Sequence, residues 1–126
     1  MTIAAVLAAL LIGAVVLFQI ALAAGAPFGA AAWGGQHQGR LPARLRIASA
    51  GAAILLIFLA WVVLAAGGLT ATAPLPEAWL GPAAWVATGY FVLGGLVNLI
   101  SRSRVERVWA PVSLAIAICC AIVAIA

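Results

Sequence analysis

Few side chains in this chain could bind a ligand, and the best candidates lie in one glycine-rich segment and inside two apolar runs. Imidazole, amide and guanidinium groups can hydrogen-bond to a polar ligand or to lipid headgroups. No carboxylate dyad or nucleophile–base pair accompanies them, so we predict a binding surface and no catalytic residue. The candidate binding residues are Gln36, His37, Arg40, Gln19 and Asn98.

A metal or haem site is not expected. His37 is the only histidine, no carboxylate lies near it in sequence, and a metal needs three or four protein ligands. Cys119 and Cys120 are adjacent, which is not the C-x-x-C spacing of a redox pair. Both cysteines are expected to be small apolar packing residues. We therefore predict no metal and no cofactor.

Four apolar runs must position these residues. They extend from about Thr2 to Ala24, and over residues 47–69, 82–100 and 108–126. Each is close to the roughly 20 residues that cross a hydrocarbon core. Of the chain's 126 residues, 68% are hydrophobic and 6% charged, too few charges to cover a water-facing surface. The sequence predicts an all-α protein, a single four-helix transmembrane bundle.

The arginines predict how this bundle is oriented. All six basic residues are Arg, and they fall only in the first and third gaps between the apolar runs. The positive-inside rule places these two gaps in the cytoplasm and both termini outside. Attraction to anionic headgroups explains the net charge of +4 without nucleic acid. The residues expected at the lipid interface are Trp33, Arg44, Arg46, Arg102, Arg104, Arg107 and Trp109.

A polar layer is predicted near the Arg-bearing gaps, because each run has a hydrogen-bonding side chain there: Gln19, Ser49, Asn98 and Ser113. Such groups are expected to face the bundle interior, where they can be satisfied. They could bond the helices together, or they could form the floor of a pocket covered by residues 25–40. Arg102 and Glu106 are four residues apart and are expected to pair if their segment is helical, with the carboxylate otherwise solvated.

One stretch carries a resemblance. The residues from Ala26 to His37, APFGAAAWGGQH, followed by Leu-Pro at 41–42 and Leu-Arg at 45–46, resemble a pattern in uncharacterised small four-helix bacterial integral membrane proteins. The resemblance implies no activity. The length is similar to that of small multidrug exporters and fluoride channels, but the acid of the exporters' first span and the filter motifs of the channels are missing.

Three classes of function remain open. The first is a non-enzymatic protein that binds lipid or serves as an accessory subunit of a membrane complex. The second is a small transporter or channel, which would act as an oligomer because four short helices enclose little space. The third, a membrane enzyme with its site at the cytoplasmic face, ranks last. We expect a multi-pass protein of a bacterial plasma membrane, partnered by anionic lipid and by further copies or a larger complex.

Overall fold

The computed structural model describes residues 1–126 and contains helices and turns only. The long helices are α1 (Thr2–Ala23), α2 (Ala43–Ala66), α3 (Glu77–Leu99) and α5 (Trp109–Ile125), and a short helix, α4 (Arg104–Arg107), leads directly into α5. Four segments are long and apolar enough to cross a membrane, with α4 and α5 forming the last together. The predicted all-α fold with four helices of membrane-spanning length is thus confirmed, and the chain has the character of a multi-pass membrane protein.

Three of the helices begin earlier than the apolar runs. α2 begins at Ala43 instead of residue 47, α3 at Glu77 instead of residue 82, and the last segment at Arg104 instead of residue 108. Pro42 and Pro76, both with extended ψ, immediately precede α2 and α3. Pro82, expected at the start of the third helix, lies inside α3. The first turns of these three helices are polar, so hydropathy alone does not predict that they are helical.

The four long helices pack as a ring in which α1 contacts α2 and α5, and α3 contacts the same two helices. The connection between α2 and α3 lies beside the N-terminus, because a Cβ at Gly67 would approach the Ala5 Cβ to 2.8 Å. We call this end, with residues 67–76 and both chain termini, the terminal end. The other end, with residues 24–42 and 100–103, is the Arg-bearing end.

The core fills the middle and the terminal half of the ring. Its fully buried members include Ala8, Ile12, Val63, Ile116 and Cys120. Large apolar side chains cover the outside, and Ile3 and Ile100 are among the most exposed. Such a surface suits lipid and not water. Towards the Arg-bearing end the core gives way to a cavity.

Candidate functional site

The connection between α1 and α2 folds back over the Arg-bearing end of the bundle. It contains two short 3₁₀ turns, Gly29–Ala31 and Trp33–Gly35, and we call residues 29–35 the cap. The Gly29 N–H donates to the carbonyl oxygen of Gly39 at 2.7 Å, which closes the segment on itself. Ala31 and Ala32 are buried. The cap is therefore a packed structure, part of the bundle.

Trp33 has an unusual backbone. Its φ is +52°, the only positive value among the non-glycine residues, and bulky side chains rarely adopt this conformation. The indole Nε1–H donates to the Ser49 hydroxyl oxygen at 3.0 Å. Ser49 is fully buried near the start of α2. This bond holds the cap against α2 and offsets part of the backbone strain.

The opposite edge of the cap is bound by α4. The Gly34 N–H donates to Glu106 Oε2 at 2.9 Å, and the Ser103 hydroxyl donates to the Ala30 carbonyl oxygen. Ser103 also caps α4 by accepting from the Glu106 N–H at 3.3 Å. The cap thus joins segments about seventy positions apart in sequence.

The pairing of Glu106 with Arg102 was expected only if their segment is helical, and that condition is not met. Helix α4 begins at Arg104, after Ser103 as its N-cap, so Arg102 lies outside the helix and the four-residue spacing does not bring the two side chains together. The Glu106 carboxylate is not solvated either, because the residue is only 5% exposed. It faces the cap and accepts from a backbone N–H instead.

Beneath the cap lies a cavity of about 630 Å³. All four long helices contribute to its wall, and so do α4 and the cap. Most of the wall is apolar, and its polar side chains include Gln19, Asn98, Ser113 and Glu106. Gln19 Oε1 is buried and has no hydrogen-bond partner in the protein. We call this space the capped cavity.

The structure separates the five candidate binding residues into two groups. Gln19 and Asn98 line the capped cavity together, although no direct hydrogen bond joins them. Gln36 and Arg40 are exposed, and His37 is half-buried with Nδ1 enclosed and unpartnered. None of these three residues contributes to the cavity wall. The candidate site is therefore the cavity under the glycine-rich segment.

The residues expected at the lipid interface have varied surroundings. Arg44, Arg102, Arg104 and Arg107 are exposed. Arg46 donates from Nε to the Ala23 carbonyl oxygen at 3.0 Å, and so satisfies the end of α1. Trp109 packs on Phe18 with ring centroids 4.8 Å apart. This pair lines both the capped cavity and a second, smaller cavity of about 360 Å³.

Sequence reasoning missed Glu106 as a cavity residue. One local signal could have found its position: the run from Ser103 to Glu106 has the Ser-x-x-Glu pattern of a capping box, which starts a helix at Arg104. In that motif the Glu side chain turns back to its own N-cap. Here it bonds to the cap instead. That partner could not be read from the local sequence.

The capped cavity could hold a molecule with an apolar body and a hydrogen-bonding group. Its wall contains one carboxylate, Glu106, and no histidine, cysteine or basic residue. The wall therefore offers hydrogen-bonding groups and apolar contact, without a second carboxylate or a base to complete an acid–base pair. No protein-family model, curated protein or solved structure matches this chain.

Proposed function

We propose that this protein is a non-enzymatic membrane protein that binds a small amphiphile, such as a lipid, in the capped cavity. One observation carries the proposal: a largely apolar cavity of about 630 Å³ is lined by a few polar side chains, Gln19, Asn98, Ser113 and Glu106. Ligand cavities typically have volumes of about 300–1,000 Å³, apolar walls and a few polar groups.

The polar side chains in the wall support a ligand with a hydrogen-bonding group. Each hydrogen bond to such a group would stabilise the complex by about 0.5–1.5 kcal/mol. Apolar contact with Val15, Leu56 and Phe91 would stabilise the rest of the molecule. An amphiphile matches both parts of this wall. The absence of a paired catalytic group in the wall favours binding over chemistry.

The proposal includes an orientation. The Arg-bearing end would face the cytoplasm of a bacterial plasma membrane, because all six basic residues lie in the two gaps at that end or in the first turns that follow them. Arg44, Arg102 and Arg104 are exposed and would meet anionic headgroups. Reporter fusions at residues 38, 72 and 126 test the orientation. A C-terminal reporter active only in the cytoplasm would contradict it.

Binding is tested with a variant that fills the cavity. Gly94 lines the cavity, and a Cβ there would lie 3.8 Å from Ser113 Oγ, in ordinary contact. Gly94→Leu should therefore fold and occupy ligand space. Gly89→Leu is the matched control, because Gly89 is an exposed glycine of the same helix and a Cβ added there would meet no atom within 4 Å. Both changes improve helix propensity by a similar amount.

The measurement is native mass spectrometry after extraction in mild detergent, with decanol added as a neutral probe. We expect one bound molecule per chain in the wild-type protein and in Gly89→Leu, and a loss of about tenfold or more in affinity in Gly94→Leu. Equal binding in both variants, or none in the wild-type protein, would refute the proposal. The same spectra give the oligomeric state, and solute flux through oligomers in liposomes would favour a transporter instead.

A further inference from the structure

The wall of the capped cavity carries an acidic side chain and no basic one. Glu106 is the only carboxylate in the wall, and no Arg or His lines it. The hydrogen-bond donor to its side chain is the Gly34 backbone N–H, an uncharged group. Buried charges in proteins are normally paired with an opposite charge or bound to a metal. This carboxylate has neither kind of partner within the protein.

The nearby arginines do not supply the missing charge. Arg104 and Arg107 belong to the same short helix as Glu106, but both are exposed and neither lines the cavity. Their charges lie in a solvated environment where screening is strong. Within the cavity the carboxylate can only accept hydrogen bonds. A ligand group that complements it must therefore donate a hydrogen bond, and must be positive to balance its charge.

Aromatic rings add a second feature that suits a cation. Trp33, Tyr90 and Trp109 line the same cavity as Glu106, together with two phenylalanines, Phe18 and Phe91. The faces of aromatic rings attract ammonium groups, tryptophan most strongly. Aromatic rings beside a single carboxylate form a wall suited to an organic cation. A neutral or anionic amphiphile would leave the carboxylate without a countercharge.

We infer that the ligand of the capped cavity is an organic ammonium compound, with its ammonium group at Glu106 and its apolar body against the helices. This inference rests on the proposed function and adds the class of ligand. The ammonium group could belong to a membrane lipid or to a free amine. The chemistry that recognises it is the same in both cases.

The test compares four probes on the purified protein in neutral detergent, with binding followed by tryptophan fluorescence. Decylammonium, decanol and decanoate share one chain length and differ in charge, while butylammonium keeps the charge and shortens the chain. We expect decylammonium to bind about tenfold or more tightly than decanol, because its charge interacts with the buried carboxylate. Decanoate, which carries the same charge as the carboxylate, should bind most weakly. If butylammonium binds as tightly as decylammonium, a free amine is the ligand, and if it does not, a lipid-like amine is.

Glu106→Gln removes the charge but keeps an acceptor for the Gly34 N–H. It should abolish the preference for decylammonium over decanol, while decanol binding stays unchanged. Glu77→Gln is the matched control, because Glu77 is the only other acid and is exposed at the terminal end. If Glu106→Gln does not fold, the comparison of probes on the wild-type protein still tests whether the ligand is an ammonium compound.

The outcomes separate the two proposals. If decanol binds as tightly as decylammonium to the wild-type protein, or if Glu106→Gln keeps the preference, the ammonium inference is overturned while amphiphile binding stands. If none of the chain-bearing probes binds, the proposed function fails as well.

Discussion

The two ends of the bundle are built differently. At the Arg-bearing end, side-chain hydrogen bonds join residues 16, 23, 72 and 73 positions apart in sequence. At the terminal end, the two side-chain bonds of the connection between α2 and α3 span 2 and 11 positions and are exposed. The contrast teaches that the longer of two connections can be the one more firmly bonded to the rest of the molecule. The longer connection is hydrogen-bonded to distant helices, whereas the side-chain hydrogen bonds of the shorter one are local.

The cavity lies at the end with the non-local bonds. The helices alone do not close it, because the cap supplies part of its wall and α4 supplies Glu106. At the terminal end the helices pack on one another through the core, including Ala5, Ala8 and Val63. Substitutions at matched positions in the two ends should therefore differ in their effects, and three such pairs follow in order of expected size.

The largest difference is expected between Gly35→Val and Gly68→Val. Both glycines have left-handed backbones, with φ of +68° and +74°, so strain of about 1–3 kcal/mol applies to both variants. Only at Gly35 would a new Cβ collide with Ser103, whereas Gly68 has open space. Overpacking should add about 1–3 kcal/mol to the loss at Gly35. Unfolding free energies measured in mixed micelles test this, and equal losses would mean that the cap does not pack on α4.

An intermediate difference is expected between Ser103→Ala and Thr70→Val. Ser103 caps α4 and donates to the Ala30 carbonyl oxygen, so its loss should lower stability by about 1–2 kcal/mol. Thr70 donates only to the nearby Thr72 carbonyl oxygen at an exposed site, so Thr70→Val should stay within about 0.5 kcal/mol. Denaturant titration of both variants measures the difference. A larger loss for Thr70→Val would reverse the proposed contrast between the ends.

The smallest difference is expected between Trp33→Phe and Trp61→Phe. Each change deletes one indole N–H donor. The partner of Trp33 is the fully buried Ser49 hydroxyl, whereas that of Trp61 is the exposed Thr72 carbonyl oxygen. The first change should lower stability by about 1 kcal/mol and the second by less, because water can replace only the second bond. Hydrogen exchange over residues 29–35 should accelerate in Trp33→Phe alone, and unchanged exchange there would count against the anchoring role of Trp33.

The sequence predicted the centres of the helices but not their starts. Hydropathy marks the part of a helix that suits lipid, so the apolar runs locate the middle of each span. The polar first turns at Arg44, Glu77 and Arg104 are helical because prolines at 42 and 76 and Ser103 mark where those helices begin. These are helix-start signals, which a count of apolar residues does not include.

The site was predictable only in part. Gln19 and Asn98 could be placed near each other because each lies a few residues from the Arg-bearing end of its span, and both line the capped cavity. The contribution of Glu106 depends on a bond to Gly34, 72 positions away. Whether two such distant segments meet depends on how the helices pack, and no local spacing encodes it. His37 was singled out for its chemistry, but it lies outside the cavity wall.

The bond from Arg46 to Ala23 has a consequence for how the protein is made. This bond and the Trp33–Ser49 bond lie within the hairpin of α1 and α2, so both can form once that hairpin has left the ribosome. The bonds from the cap to Ser103 and Glu106 must wait until the last helix is synthesised. The hairpin can therefore make its own two bonds early, whereas the cap can be joined to α4 only after residue 106 has been made. A chain that stops before residue 103 would keep both hairpin bonds but lack α4 and α5, and with them part of the cavity wall.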